Sequence, residues 1–246
     1  MTKEFFETER LILKPFSILN EEEKKIVGDS WANPFNARYN AMRDPHGSVE
    51  ELANLPEPTF SDFNNYYDCM FFRVAFSKEN GEIVGTCRFG KYHTCENADV
   101  WDFGDNVLLK HWFKGYGAEI LSKICDIAKE RGALRVRGGA DKENYGSYKA
   151  MTRNGFEFLG LDEDGDYDYY RDLTKEMPSK EQCDRNWEKH MEMTKTDLGE
   201  EKFANLEFIN KEIANLVKRI QAGEDEQMLV EEDFERLNAI EQFPMN

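Results

Sequence analysis

Nowhere does this sequence hold an apolar run approaching the roughly 18 residues a membrane-spanning helix needs, so no membrane partner is expected. Basic residues are in short supply. Against 49 Asp and Glu stand 32 Lys and Arg, a formal net charge of −17. Phosphate backbones call for basic patches, so no nucleic-acid partner is expected either. The same field attracts a cationic substrate or partner, or serves solubility alone. Cysteine is sparse and unpaired: Cys69, Cys87, Cys95, Cys125 and Cys183 form no C-x-x-C pair, and their odd number suits reduced thiols. The four histidines, His46, His93, His111 and His190, lack metal-ligand spacing, and no metal is expected. The opening MTKEFFETER has no apolar core of the signal-peptide kind, which points to a cytoplasmic protein.

What is present suffices for one large domain, or a domain with an appendage: 246 residues, 40% of them hydrophobic. "LILKPF" (Leu11–Phe16) reads as the first strand, and "NEEEKKIV" as a helix capped by Asn20 with carboxylates in its first turn. Residues 20–70 mix helical pieces and loops, with a break around Pro56 and Pro58. Two β-rich runs follow, joined at Asn80-Gly81, where both positions accept positive φ. A third, "ADVWDFGDNVLL", runs to Leu108-Leu109 and leads into "KHWFKGYGAE". "AEILSKICDIAKERG" then puts Ile120, Leu121, Ile124, Ile127 and Ala128 on one helical face. "LRVRGGAD", "FEFLGL" and the tyrosine-rich "DYDYYRDL" read as strands, with a shorter helix, "YGSYKAMTRNG", before the second of them. "DYDYYRDL" either lies at the surface with aromatic cross-strand pairs or lines a pocket for a cation. The expected fold is α/β, a mixed, mostly antiparallel sheet with helices on both faces, over residues 1–174.

Residues 175–246 differ. They hold 18 acidic against 10 basic residues and read as an acidic helical C-terminal extension. Leu206, Ile209, Ile213, Leu216 and Ile220 follow one another at three- and four-residue steps, the stripe of a helix that folds back on the domain or meets a second copy in a homodimer.

The two glycines of "KGYGAE" raise a chemical question. Amides at a helix N-terminus have no intrahelical partner and carry partial positive charge. A diphosphate can satisfy several at once, and glycine leaves its approach open. The spacing fits neither a Rossmann fingerprint, since Ile120 holds the third glycine's place, nor a P-loop.

"WFKGYGAE" after a strand, with "ENYGSYKAMTRNGF" about thirty residues on and "ETERLILKPF" at the start, closely resembles the GNAT family of acetyl-CoA-dependent N-acetyltransferases. It is nearest the branch of ribosomal-protein N-terminal acetyltransferases (RimJ/RimL-like). Trp112 stands where the family's Q/R-x-x-G-x-G/A loop has Gln or Arg, with Gly115 and Gly117 in register. The resemblance spans roughly residues 5–174. It implies a GNAT fold, acetyl-CoA as co-substrate, and backbone amides from Phe113 through Lys114, Gly115, Tyr116 and Gly117 to Ala118 around the pyrophosphate. Asn144 and Ser147 match N-x-x-S near the thioester, Asn144 doubling as a helix N-cap. An amide near Leu109 would face the oxyanion. Asp102 is the candidate base, and Ser147 or Tyr148 the candidate proton donor, because Met151 holds the place of the family's tyrosine.

The reaction implied is acetyl transfer from the thioester to a primary amine, a protein N-terminus or a small cationic amine, by direct attack. Keeping an amine neutral at pH 7 costs about 4.6 kcal/mol for a lysine-type group and about 1 kcal/mol for an α-amine, so a base matters more for the first. The alternative is a catalytically degenerate acyl-CoA-binding or interaction module.

Overall fold

In the computed structural model, the described residues are 4–39, 70–91, 99–162 and 165–242, with the single positions 49, 54, 57 and 58. His46, His93, Cys69, Cys95, Pro56 and most of the mixed region expected before residue 70 lie outside them. Among the described residues eight strands form one sheet: β1 (Phe6–Glu7), β2 (Leu11–Pro15), β3 (Met70–Ser77), β4 (Ile83–Lys91), β5 (Val100–Val107), β6 (Arg135–Ala140), β7 (Glu157–Leu161) and β8 (Tyr167–Asp172). Their order is β1-β2-β3-β4-β5-β6-β8-β7. Only β5 and β6 run parallel, and a parallel neighbour requires a crossover, which here is helix α3 (Tyr116–Glu130). The other helices are α1 (Glu21–Ala32), α2 (Pro34–Ala37), α4 (Tyr145–Arg153), α5 (Lys180–Leu198), α6 (Glu200–Gln221) and α7 (Glu226–Gln242). This is the expected mixed α/β architecture with its helical extension.

Local chemistry explains most boundaries. Asn20 and Glu23 form a reciprocal capping box at α1, each side chain accepting the other's backbone N–H at 2.9 Å. Helix α3 buries Ile120, Leu121, Ile124, Ile127 and Ala128, the five residues its periodicity selects. Strand β3 is buried at all eight positions, as a strand covered on both faces must be. On one face α1 packs Val27 and Trp31 against Phe72, Val74 and Phe76, and the Trp31 indole donates to Thr86 Oγ1 (3.1 Å). On the other, α3 and α4 pack on Leu11, Leu13, Phe89, Phe103 and Val136.

Several expectations need correction. Strand β5 ends at Val107, and a 3-10 turn (Leu109–His111) separates it from the glycines, because the Leu108 N–H still pairs back to Val84 O while the next residues turn into the core. Helix α3 starts at Tyr116, two residues earlier than Ala118. At the β3–β4 hairpin only Gly81 takes positive φ (+76°), so the connection is a longer turn closed by Ser77 N–H to Glu82 O (2.8 Å). Strand β8 is no surface strand: it lies between β6 and β7, with Tyr167 and Tyr169 buried.

The extension packs on two sides of this body. His190 of α5, fully buried, stacks on Tyr148 (4.3 Å between centroids) and on Trp187 (5.3 Å), and its Nδ1 meets Tyr169 Oη at 3.1 Å. Burial pushes its imidazole down to about 4. The stripe from Leu206 to Ile220 is buried. From Ile209 onward it shares a cluster with Phe35 of α2, with Leu109 and with Leu229 and Leu237 of α7. The helix therefore folds back on the domain, and the seam expected of a dimer is filled from within the chain.

Candidate functional site

The parallel pairing of β5 with β6 covers Val100–Asp102 on one side and Arg135–Arg137 on the other. Beyond Asp102, β5 continues to pair with β4 as far as Val107, while β6 continues with β8 as far as Ala140. The two strands part, and a wedge opens between them. Phe103 fills its floor: a Cβ on Gly138 would lie 2.3 Å from the Phe103 ring, so only glycine fits there.

At the mouth of the wedge stands the N-terminus of α3. Its first backbone bond is from Glu119 N–H to Gly115 O (3.1 Å), and Gly115 offers no side-chain cap. Among the described residues the amides of Phe113, Lys114, Gly115, Tyr116, Gly117 and Ala118 have no protein acceptor. Six unpartnered donors at a helix's positive end form a cradle for an anion. Gly115 sits at φ +78°, where a side chain is strained. Gly117 has a different reason: a Cβ there would come 3.2 Å from Asp105 Oδ2, so it permits α3 to pack closely on β5. The Trp112 indole donates to Val107 O (2.7 Å), and its ring joins the cluster under α6 and α7. Phe113 points to solvent, 66% exposed.

A brace holds the cradle from the β2 side. Glu119 in the first turn of α3 would oppose an incoming anion, but it accepts from Thr8 Oγ1 (2.5 Å), Arg10 N–H (2.9 Å) and Arg10 Nε (2.6 Å). Burial makes the carboxyl a weaker acid, yet these bonds and the Arg10 charge outweigh that and hold it below its usual range. Arg10 Nη1 donates to Lys114 O (3.0 Å), and its guanidinium lies 4.4 Å over the Tyr116 ring. From the other side Gln221 Nε2 donates to Lys110 O (3.1 Å) and Trp112 O (3.2 Å). His111, buried beneath, is pushed down to about 4 by burial and by Lys110 and Lys114, so it is neutral at pH 7.

At the inner end of the wedge the expected residues part company. Asn144 caps α4, accepting Ser147 N–H at Oδ1 (3.1 Å). Ser147 is half-buried. Tyr148 is fully buried, and its hydroxyl donates to Ala140 O and lies 3.1 Å from Tyr167 O. Burial makes this phenol a weaker acid still, so that proton is held in the fold. Met151 is buried in the core. Asp102 pairs with Arg88 (3.1 Å), and beside it Arg137 pairs with Asp168 (2.7 Å), on the sheet face that carries α1. Leu109 is buried under α6 as the first residue of the 3-10 turn. The sequence singles out Asp102 and passes over Asp105, whose carboxyl loss of solvent pushes up to about 6 on the α3 face. Period-two alternation separates the two onto opposite faces, but only the strand splay shows which face meets which ligand.

Among the described residues no group of three or more His, Cys, Asp or Glu is placed to hold a metal ion, and no helix is long and apolar enough to cross a membrane.

Residues 10–157 match the family described as acetyltransferase (GNAT) domain. The fold is similar to that of a GNAT-family acetyltransferase from Bacillus anthracis (17% identity, 70% of this chain and 100% of that one, TM-score 0.53). It is also similar to the ribosomal-protein-S5-alanine acetyltransferase from Vibrio fischeri (16%, 71% and 100%, 0.53). A third similar fold is RimL, a ribosomal L7/L12 α-N-protein acetyltransferase in complex with coenzyme A (13%, 69% and 98%, 0.53). No curated protein matches the sequence.

Proposed function

Since the chain belongs to the GNAT acetyltransferase family, we propose that it transfers the acetyl group of acetyl-CoA to a primary amine, with the reacting groups meeting in the β5–β6 wedge. The observation that carries this reading is the set of six unpartnered amides from Phe113 to Ala118 at the wedge mouth. They would hold the pyrophosphate, with Lys114 adding charge. Asn144 and Ser147 at the N-terminus of α4 would flank the pantetheine and thioester, and the amide of Leu109 would face the oxyanion.

Direct transfer requires the amine to lose a proton, attack the carbonyl carbon and expel the thiolate, which then gains a proton. Donor and acceptor approach from opposite sides of the wedge. The cradle lies with α3, so the acceptor arrives on the α1 face, where Asp102 stands to take the amine's proton, directly or through water. Asp105, pushed up to about 6 by burial, lies on the donor side, behind Gly117. With the Tyr148 hydroxyl held by backbone carbonyls, Ser147 Oγ is the group left to protonate the thiolate. The net charge of −17 favours a cationic acceptor, a protein N-terminus or a small polyamine-like molecule. Residues 1–174 form the acetyltransferase body in this reading and 175–246 an extension that supports its donor loop, in a cytoplasmic protein.

Thiol release from acetyl-CoA across a panel of peptide N-termini and small amines tests the proposal. Turnover with at least one amine is expected. Micromolar CoA binding without turnover on any amine would instead favour an acyl-CoA-binding module.

A further inference from the structure

Phe113 is the one non-glycine residue at positive φ (+63°) among the described residues. A side chain there is strained against its own carbonyl. A buried ring could offset that strain, but Phe113 is 66% exposed, the most exposed large apolar side chain among the described residues. Strain and exposure together give the fold no return, and such outliers collect where a ligand makes the return.

Its neighbours narrow the choice. Three aromatic rings surround the cradle. Tyr116 carries the Arg10 guanidinium over its ring at 4.4 Å. Trp112 is tied to Val107 O and packed under α6 and α7. Among the described residues the one ring that Phe113 meets is Trp112, at 6.4 Å and nearly edge-on, and Phe113 is 66% exposed. Its own amide is the first of the six free donors, so the solvent-exposed ring adjoins the cradle.

We propose that the Phe113 ring is the platform on which the purine base of the acyl donor stacks. This rests on the reading of the loop as the pyrophosphate site. A nucleotide held by the amides extends its base a ribose length beyond the diphosphate, and a ring adjoining the first donor amide is within that reach. Base–aromatic stacking is sequence-tolerant and strong enough to outweigh the strain of one left-handed residue. The side chain thereby selects donors that carry a nucleotide over a bare phosphopantetheine thioester.

The test is calorimetric titration of the full chain with CoA and with 4′-phosphopantetheine, which lacks the nucleoside. Variants Phe113→Gly, which accepts the same backbone, and Phe113→Tyr, which keeps the ring, are compared with the unmodified chain. Expected is an at least tenfold rise in Kd for CoA in the glycine variant, with phosphopantetheine affinity unchanged within twofold, melting temperature retained and affinity restored in the tyrosine variant. An unchanged Kd for CoA, or equal weakening of both ligands, overturns the stacking role while leaving the cradle standing. Failure of the unmodified chain to bind CoA overturns the cradle and this inference with it.

Discussion

Asn144 accepts the Ser147 N–H through Oδ1 and so caps α4, while the proposed site would use its amide as well. Two substitutions separate the roles. Asn144→Asp keeps a capping oxygen and should keep the melting temperature while raising the KM for acetyl-CoA. Asn144→Ala should lose about 1 kcal/mol of stability in urea titration in addition. Arg10 is a positioning residue of another kind, half exposed yet bonded to Glu119 and to the Lys114 carbonyl. Its replacement by alanine leaves a carboxylate uncompensated beside the anion cradle. The KM for acetyl-CoA should rise roughly five- to tenfold, in keeping with about 1 kcal/mol for a partly exposed pair, with kcat nearly unchanged. A kcat loss with constant KM would contradict this. The glycines were legible in the sequence, and "ETERLILKPF" carried part of the family resemblance. What Thr8 and Arg10 do within that stretch was not legible, because Glu119, their partner, stands more than a hundred residues away.

At the level of elements, the apolar face of α3 and the stripe of α6 were legible because a helix repeats its burial every three to four residues. The place of β8 between β6 and β7 was not, since nothing local in a strand records which neighbour it will pair with. The same non-locality hid the contact of α6 with the 3-10 turn before the cradle. Gln221→Ala removes the two bonds to Lys110 O and Trp112 O from an exposed side chain. Amide exchange over residues 109–118 should quicken and CoA affinity fall about two- to fivefold, with the melting temperature almost constant. Leu216→Ala, by contrast, empties a buried position (1% exposed) and should cost about 2–5 kcal/mol in denaturant titration.

Across the whole molecule, charge and burial set the response to solution conditions. His111 and His190 fold with imidazoles pushed from 6.5 to about 4. The unfolded chain therefore binds their protons at a pH where the native one does not, and stability falls as pH drops from about 6.5 toward 4. Asp105, raised from 3.8 to about 6, acts in the opposite sense and offsets part of the loss. The remainder is on the order of 3 kcal/mol, readable as a falling melting temperature, and His190→Gln should flatten it. Salt should act on the two substrates in opposite directions. Screening of the −17 net charge lowers the KM of the anionic donor and raises that of a cationic acceptor, measured between 20 and 300 mM salt as roughly twofold changes or more. One packing feature reaches beyond solution chemistry. The turn that presents the donor loop is fastened by Gln221 and walled by Leu216 and Leu229, residues synthesised a hundred positions after it. A nascent chain that has emerged only through β8 has its amides but not their fastening, so the loop takes its final order only after α6 and α7 have followed it out of the ribosome.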